Sequence, residues 1–333
     1  MDTTKIFHIN SYKEIGESHL ACDKTCEDNV RTGVHPVTGV AAAVVCDGAG
    51  SCSHAREGSE TTAAAALELL LAKFDELYEM ERPQFAGILL DTICEILEAK
   101  AEELNCDFES LSSTLVCAAL APDGRYVFFH VGDGVITACD RDGQCRILSQ
   151  YHHEIALNFT TFVTIPDTEY NYGKGQGDIA SLLLMSDGPE YFMTYAGRTT
   201  PNANLLLQLN CLLPEEQILS QLQGLTLFYK QCGMYDDASY ALISDKREAG
   251  GVFSGMDSEF RGIVFNLPRD LPRRVIQQYD DALTAAAFAG SEGITEKQLT
   301  RLMRVHSEKN VIRKMEKLTK LGVMKHRNGK YYF

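Results

Sequence analysis

Short apolar runs recur along the first 245 residues and predict buried strands. Each run is four to seven residues long, is rich in branched side chains and is bounded by polar or glycine-containing segments. Runs of this length are typical of strands whose two faces are both covered. The predicted strands span residues 40–46, 114–120, 126–131, 179–185 and 240–243.

Three longer segments between these runs predict helices, at 59–80, 83–105 and 214–231. The first places Ala and Leu at three- and four-residue spacing, and the other two begin with Pro, which is favoured in a first helical turn. Strands joined by local hairpins, with helices arriving in pairs, predict an α+β fold. In this fold, helices cover antiparallel sheets over residues 1–245.

The chain changes character after residue 245. Residues 246–274 are polar and punctuated by Gly and Pro, which predicts a linker with some structure of its own. Residues 275–333 contain three helical segments and end in a hairpin whose turn is Asn328-Gly329. The helical segments and the hairpin span 280–289, 295–303, 307–321 and 323–333. Three helices and a hairpin resemble a winged helix, so we expect a second, smaller domain here.

The charge of the chain is distributed unevenly. The net charge is −15, but residues 294–333 hold 11 Lys or Arg and three Glu, a net of +8, so the rest carries −23. A basic tail on an acidic body indicates two units with different partners. The outward faces of the helix at 307–321 carry Arg313, Lys314 and Lys317, as in winged helices that contact DNA phosphates. The alternatives are a charged helix that only keeps a small domain soluble, and a winged helix that binds a protein.

The composition is that of an ordinary globular protein. With 333 residues, 45% of them hydrophobic and 23% charged, the chain is neither disordered nor collagen-like. The longest apolar stretch, 61–72, is interrupted by Glu68 and is too short for a bilayer, which needs about 20 residues. No targeting pattern opens the chain, and the eleven cysteines are expected to be reduced thiols. We therefore expect a cytoplasmic protein with no membrane partner.

Asp-Gly pairs occur five times, and a turn is the ordinary reason for each, because Asp-Gly favours positive backbone torsions. Asp123 and Asp142 lie in polar surroundings and are expected at hairpin tips. Asp47, Asp133 and Asp187 instead follow apolar runs, which deliver each carboxylate to the edge of a buried sheet.

Carboxylates that converge at such an edge need a cation or a dense hydrogen-bond network, because they repel one another and are costly to desolvate. Two further acidic pairs join them: Glu27-Asp28, and Asp236-Asp237 immediately before an apolar strand. All-oxygen ligation selects Mg²⁺ or Mn²⁺ over Zn²⁺. Spacing alone leaves open that these residues are unrelated strand-end turns.

Six short motifs occur in the order found in one enzyme family. They are Glu27-Asp28, Val45-Cys46-Asp47-Gly48-Ala49-Gly50, Ser112-Ser113-Thr114, Val131-Gly132-Asp133, Met185-Ser186-Asp187-Gly188 and Tyr235-Asp236-Asp237-Ala238-Ser239. In this order the chain resembles the metal-dependent type 2C protein serine/threonine phosphatases, the PPM family. Two further segments, 16–19 and 158–162, are similar to those of a bacterial branch.

The resemblance implies a central pair of packed antiparallel sheets flanked by helices, with two Mn²⁺ or Mg²⁺ ions in a cleft at one end. It implies that Asp47 bridges both ions and that the backbone carbonyl of Gly48 ligates one. Asp187 and Asp236 would complete the shell, since the family pattern places the ligand at the first residue of the Asp-Asp pair.

The resemblance also implies ligands outside this inner set. Glu27 and Asp28 would act mainly through bound waters. A third, weaker ion would lie near Glu109, with Asp187 as its partner. The implied activity is one-step hydrolysis of phosphoserine and phosphothreonine monoesters by in-line attack of a water that bridges the two ions. Its substrate would be a phosphorylated protein, such as the target of a kinase.

The chain departs from the family pattern at two places. Many eukaryotic members have His directly after the first Asp-Gly, where this chain has Ala49, and an Arg shortly before the Glu-Asp pair, where it has Asp23 and Lys24. Phosphate binding could then fall to Lys24 or His19. The plainer readings are a surface charge for Lys24 and a hydrogen-bonded structural histidine for His19.

Two other candidates are interpreted without a catalytic role: Asp133 as structural, and His152-His153 as isolated surface histidines. Two hypotheses therefore stand. The first is a working metal-dependent phosphatase whose C-terminal domain binds substrate, DNA or a protein partner. The second is a regulator that binds phosphopeptide or DNA and whose phosphatase-like body is weakly active or inactive.

Overall fold

Two antiparallel sheets form the centre of the molecule. The computed structural model describes residues 6–150, 160–305 and 307–333. Within these residues, each of the two central sheets has five strands. With strands numbered along the chain, the first sheet runs in the order β1 (Phe7–Glu14), β12 (Ala238–Asp245), β9 (Ile179–Met185), β6 (Val135–Asp140) and β7 (Cys145–Gln150). The second runs β2 (Asn29–Val34), β3 (Ala41–Cys46), β4 (Leu115–Leu120), β5 (Arg125–Val131) and β8 (Asn171–Gln176).

Alternation along the strands explains why the two sheets stack. In β3, Ala41, Ala43 and Val45 belong to the apolar layer between the sheets, whereas Val44 and Cys46 belong to the layer under the helices. Successive side chains of a strand point to opposite faces. A strand covered on both faces is therefore apolar throughout, which is why the runs at 40–46 and 179–185 could be recognised in the sequence.

Helices cover the outer face of each sheet. The helices on the second sheet are α2 (Ala55–Glu79) and α3 (Arg82–Leu104), and those on the first are α5 (Pro201–Leu212) and α6 (Glu215–Gln231). Two short helices, α1 (Glu17–Ala21) and α4 (Asp187–Met193), and a two-residue ladder of β10 (Thr194–Tyr195) with β11 (Arg198–Thr199) complete this part. The predicted α+β fold, with two packed antiparallel sheets flanked by helices, is confirmed.

The C-terminal part contains the predicted elements and more. The segment predicted as a linker forms α7 (Ala249–Gly255) and α8 (Ser258–Phe265). Three helices and a three-stranded antiparallel sheet in the order β13-β15-β14 follow. These are α9 (Arg273–Ala289), β13 (Ile294–Thr295), α10 (Glu296–Leu302), α11 (Glu308–Lys320), β14 (Lys325–Arg327) and β15 (Lys330–Tyr332).

The C-terminal elements pack directly on the sandwich. Buried residues of α9, α10 and α11 belong to the same apolar cluster as α5 and α6. The Gln217 side chain of α6 donates to the Leu321 carbonyl at 2.8 Å, just beyond α11. The division into units at 1–245, 246–274 and 275–333 and the winged-helix assignment stay predictions. No helix in the part of the chain described is both long and apolar enough to cross a membrane.

Candidate metal centre

Asp47 is held at the end of β3 by hydrogen bonds to a neighbouring segment. Its N–H donates to Thr114 Oγ1 at 2.9 Å, and its carbonyl accepts from the Thr114 N–H at 2.8 Å. The Ala49 N–H donates to the Ser112 carbonyl at 2.9 Å. A Cβ at Gly48 would lie 2.5 Å from the Ala55 carbonyl oxygen, so glycine is needed where α2 starts against this turn. The turn therefore fixes both Asp47 and the backbone of Gly48.

Asp187 reaches the same place from the other sheet. It is the first residue of α4, directly after β9 and Ser186. A Cβ at Gly188 would lie 2.0 Å from the Asp237 carbonyl oxygen, so this glycine allows α4 to approach the Asp236-Asp237 segment. Two strand ends, one from each sheet, thus bring distant carboxylates together.

Asp133 joins these two residues. Oxygen atoms of Asp47, Asp133 and Asp187 all lie within 4.8 Å of one another. Asp133 lies in the turn between β5 and β6, and its N–H donates to Thr160 Oγ1 at 3.0 Å. Sequence reasoning set Asp133 aside as structural, although its position in an Asp-Gly pair after an apolar strand is the signal it shares with Asp47 and Asp187. Glu109 is exposed on a turn at Phe108–Leu111 and lies outside this group.

Burial and mutual repulsion shift these carboxylates strongly. Burial, followed by the charges of Asp28 and Asp187, raises the pKa of Asp47 well above its usual range. Burial, followed by the charges of Asp133 and Asp236, does the same to the pKa of Asp187. Bringing positive charge into such a cluster is strongly favourable, because a nearby cation restores the ionised form.

The Glu27-Asp28 pair supplies two buried oxygens. Among the described residues, Asp28 Oδ1 has no hydrogen-bond partner, and Glu27 Oε2 has no hydrogen bond but lies 3.5 Å from His19 Nε2. Asp28 is 1% exposed, and its other oxygen accepts from Ser186 Oγ at 2.8 Å. Burial raises the pKa of Asp28 to about 6, although the hydrogen bond from Ser186 acts in the opposite direction. Buried oxygens of this kind require an explanation, and a bound cation provides one. The donor set therefore fits a hard divalent ion.

The two residues of the Asp236-Asp237 pair have different environments. Asp237 is 2% exposed, and its carboxylate accepts from the N–H groups of Gly16 at 2.6 Å and Glu27 at 2.7 Å. Asp236 is exposed, and its Oδ1 accepts the Asp237 N–H at 2.8 Å. Asp237 is thus occupied in holding the loop that carries Glu27 and Asp28, whereas Asp236 adds its charge to Asp47 and Asp187.

Comparison with known proteins identifies this arrangement. The family model described as Protein phosphatase 2C matches residues 15–222, more than half of the chain. The chain belongs to the protein phosphatase 2C family. The match ends before the C-terminal elements, so it says nothing about the winged-helix prediction. No curated protein sequence matches the chain.

Three solved bacterial proteins share the fold. The S. agalactiae serine/threonine phosphatase is 19% identical with a TM-score of 0.51, over 72% of this chain and 99% of that chain. Stp1 from Staphylococcus aureus, a serine/threonine phosphatase, is 18% identical with a TM-score of 0.50, over 73% and 97%. PppA, described as a key regulatory component of T6SS in Pseudomonas aeruginosa, is 19% identical with a TM-score of 0.50, over 72% and 98%. At such identities the likeness establishes the fold.

The cationic candidates of this phosphatase 2C domain, His19 and Lys24, both lie beside Glu27. The His19 ring is placed between two carboxylates, with Nδ1 3.0 Å from Asp237 Oδ2 and Nε2 3.5 Å from Glu27 Oε2. Lys24 Nζ donates to Glu27 Oε1 at 3.1 Å and to the Gly50 carbonyl at 3.0 Å. The Lys24 side chain is 39% exposed, so its ammonium group remains accessible at the rim. His152 and His153 lie outside the described residues.

The residues predicted to contact nucleic acid differ in accessibility. Arg313 is exposed on α11, and Lys314 is half-buried, with burial followed by the charge of Arg313 lowering its pKa. Lys317 Nζ donates to the Asn266 carbonyl at 2.9 Å, just after α8. Lys317 therefore ties α11 to the rest of the chain, and Arg313 is the more accessible cation.

Proposed function

We propose that the chain is a metal-dependent protein phosphatase that hydrolyses phosphoserine and phosphothreonine monoesters of phosphorylated proteins. The observation that carries this proposal is the convergence of Asp47, Asp133 and Asp187, whose oxygens lie within 4.8 Å of one another. Membership of the protein phosphatase 2C family supports the reaction class.

The residues that would hold the ions are those with the fitting oxygens. Asp47, the Gly48 carbonyl, Asp187 and Asp236 would form the inner set, with Glu27 and Asp28 behind them. For a third ion we infer Asp133 rather than Glu109 as the partner of Asp187, because Asp133 belongs to the carboxylate group. Oxygen-only ligation suits Mn²⁺ or Mg²⁺. When bound, such ions lower the pKa of water and neutralise phosphoryl charge.

The chain's own residues then position the centre and the substrate. Thr114 fixes the backbone of Asp47, and Ser186 fixes the carboxylate of Asp28. Lys24 places a partly exposed ammonium group between Glu27 and the Gly50 carbonyl, two residues beyond Gly48, where it can pair with a phosphoryl oxygen. His19 is flanked by carboxylates, so we infer that it positions Glu27 and contributes less to phosphate binding.

The test is Mn²⁺-dependent hydrolysis of p-nitrophenyl phosphate and of a phosphothreonine peptide. Asp47→Asn and Asp187→Asn remove ligand charge, and each should lower kcat by at least about a hundredfold, as EDTA should for the unmodified protein. Asp142→Asn is the matched control, because Asp142 is exposed in the turn between β6 and β7. Activity equal to that of the control in both ligand variants would refute the proposal. No turnover by the unmodified protein with either metal would favour the regulatory alternative.

A further inference from the structure

A cavity of about 770 Å³ lies between the end of β12, the end of α9 and the terminal hairpin. Its volume is within the range of small-molecule sites, roughly 300–1,000 Å³. The walls therefore come from both the phosphatase body and the C-terminal elements. The lining residues that matter here are Lys246, Arg247, Phe288, Lys325, Arg327 and Tyr332.

The lining is strongly basic, although the chain as a whole carries a net charge of −15. Lys246 and Arg247 come from the body and Lys325 and Arg327 from β14, against one acidic side chain in the lining, that of Glu292. Arg247 is held by Asp245 and by the Pro122 carbonyl at 2.6 Å. Within the described ranges, neither Lys325 nor Arg327 has a carboxylate partner. Positive charge from two separate segments thus faces one cavity.

His8 lies beside the cavity, with its ring centroid 6.2 Å from that of the lining residue Phe333. Its pKa is lowered to about 3 by burial and then by the charges of Lys246 and Lys325. Lys246 directly follows β12 and Lys325 lies in β14, yet both ammonium groups act on the same imidazole. Because no carboxylate among the described residues neutralises Lys325, its ammonium group can form an ion pair with an anionic ligand.

Aromatic side chains give the cavity a second kind of surface. Phe288 is 53% exposed at the end of α9, and Tyr332 and Phe333 are half-buried in the hairpin. Aromatic faces next to cations are the combination that binds a base by stacking and its phosphates by charge. The Tyr332 ring packs closely on the backbone of Gly293, since a Cβ added to Gly293 would lie 2.5 Å from the ring.

This cavity is separate from the metal centre. β12 begins beside Asp237 and ends at Asp245, and its eight residues span about 23 Å at the usual rise per residue. Lys246 and Arg247 follow its far end. A ligand here would therefore occupy the opposite end of the sandwich from Asp47 and Asp187.

We propose that this cavity is a binding site for a nucleoside phosphate, with the phosphates on Lys325 and Arg327 and the base against Phe288. The site does not depend on the phosphatase activity, and its occupant would bridge the body and the C-terminal elements.

The test is calorimetric titration of the full chain with ADP in EDTA, which removes binding through metal ions. Arg327→Ala combined with Lys325→Ala should weaken the binding of ADP and of pyrophosphate by about tenfold or more, since the loss of one charge-assisted hydrogen bond lowers affinity by about that factor. Phe288→Ala should weaken ADP several-fold and leave pyrophosphate unchanged. Lys309→Ala, an exposed cation on α11 outside the cavity, is the matched control and should bind ADP as the unmodified chain does.

Thermal denaturation in EDTA verifies that each variant is folded, so a loss of binding cannot be attributed to misfolding. The proposal is overturned if ADP shows no saturable binding to the unmodified chain. It is also overturned if the Lys325 and Arg327 double variant or Phe288→Ala binds ADP as tightly as the control. Binding of a short DNA duplex without binding of ADP would instead assign the surface to nucleic acid.

Discussion

The two residues of the Asp236-Asp237 pair should respond oppositely to the same substitution. Asp237→Asn acts on a buried carboxylate that accepts N–H groups of Gly16 and Glu27 at 2.6 and 2.7 Å. Asn retains one acceptor oxygen and presents an NH₂ group where the second acceptor was. One backbone donor therefore loses its partner, and the loop carrying Glu27 and Asp28 loses its anchor.

The magnitude follows from these contacts. A charge-assisted hydrogen bond contributes about 1.5–3 kcal/mol, and a buried donor left without a partner costs about 1–3 kcal/mol more. Asp237→Asn should therefore destabilise the metal-free protein by roughly 3–5 kcal/mol and lower its thermal midpoint by roughly 4–7 °C. Asp236 is exposed, and Asp236→Asn removes a charge that repels Asp47. The thermal midpoint without metal should therefore stay the same or rise.

Thermal melts in EDTA, followed by melts across a Mn²⁺ titration, separate the two effects. Asp236→Asn should lose much of the Mn²⁺-induced rise in midpoint, because the ligand itself is changed. Asp237→Asn should begin from a lower midpoint and bind Mn²⁺ more weakly, because the loop is displaced. The reasoning fails if Asp237→Asn is as stable as the unmodified chain in EDTA, or if Asp236→Asn is the more destabilised of the two.

Three further changes should have measurable effects. Asp47→Asn should raise the thermal midpoint in EDTA, because burial and neighbouring carboxylates raise the pKa of Asp47 and a neutral amide avoids that repulsion; an unchanged midpoint would count against repulsion in the cluster. Thr114→Val leaves the Asp47 N–H without its acceptor and should lower kcat roughly tenfold, whereas Thr114→Ser keeps the oxygen and should retain activity. The pKa of His8 is about 3 in the folded chain, against an ordinary value of 6.5. As the pH falls below about 6.5, His8 therefore binds a proton in the unfolded chain but not in the folded chain, and the folded chain loses stability. Between pH 7 and pH 5 the unmodified chain should thus lose up to about 2 kcal/mol relative to His8→Gln, measured by urea unfolding, and parallel curves would contradict the assignment.

Most of the strands that are buried on both faces could be predicted, although the internal strand β6 was missed. The runs at 40–46 and 179–185 become β3 and β9, and the helices at 59–80 and 214–231 are found within one to four residues of their predicted starts. The edge strands β1 and β8 were not predicted, because Phe7–Glu14 and Asn171–Gln176 are largely polar and each pairs on one side. Edge strands lack the continuous apolar signal on which the prediction depends.

The location of the acidic centre could be predicted from the sequence, but the separate roles of its carboxylates could not. The position of Asp47 and Asp187 at strand ends is visible in the sequence, but Asp133 carries the same signal and was set aside because its motif departs from the family pattern. That Asp237 is committed to backbone N–H groups depends on Gly16 and Glu27, more than 200 residues away in the chain. The basic cavity beside His8 likewise depends on Lys246 and Lys325, which are distant in the chain, both lying near His8. Local sequence patterns do not encode such a long-range arrangement.

The account depends on hard cations gathering at Asp47, Asp187 and Asp236. The most direct measurement is anomalous X-ray scattering from a crystal of the full chain grown with Mn²⁺. We expect at least two manganese peaks within coordination distance of the oxygens of Asp47 and Asp187, and none there in Asp47→Asn. Manganese absent from this cluster at millimolar concentration, or found elsewhere on the chain, would contradict the account.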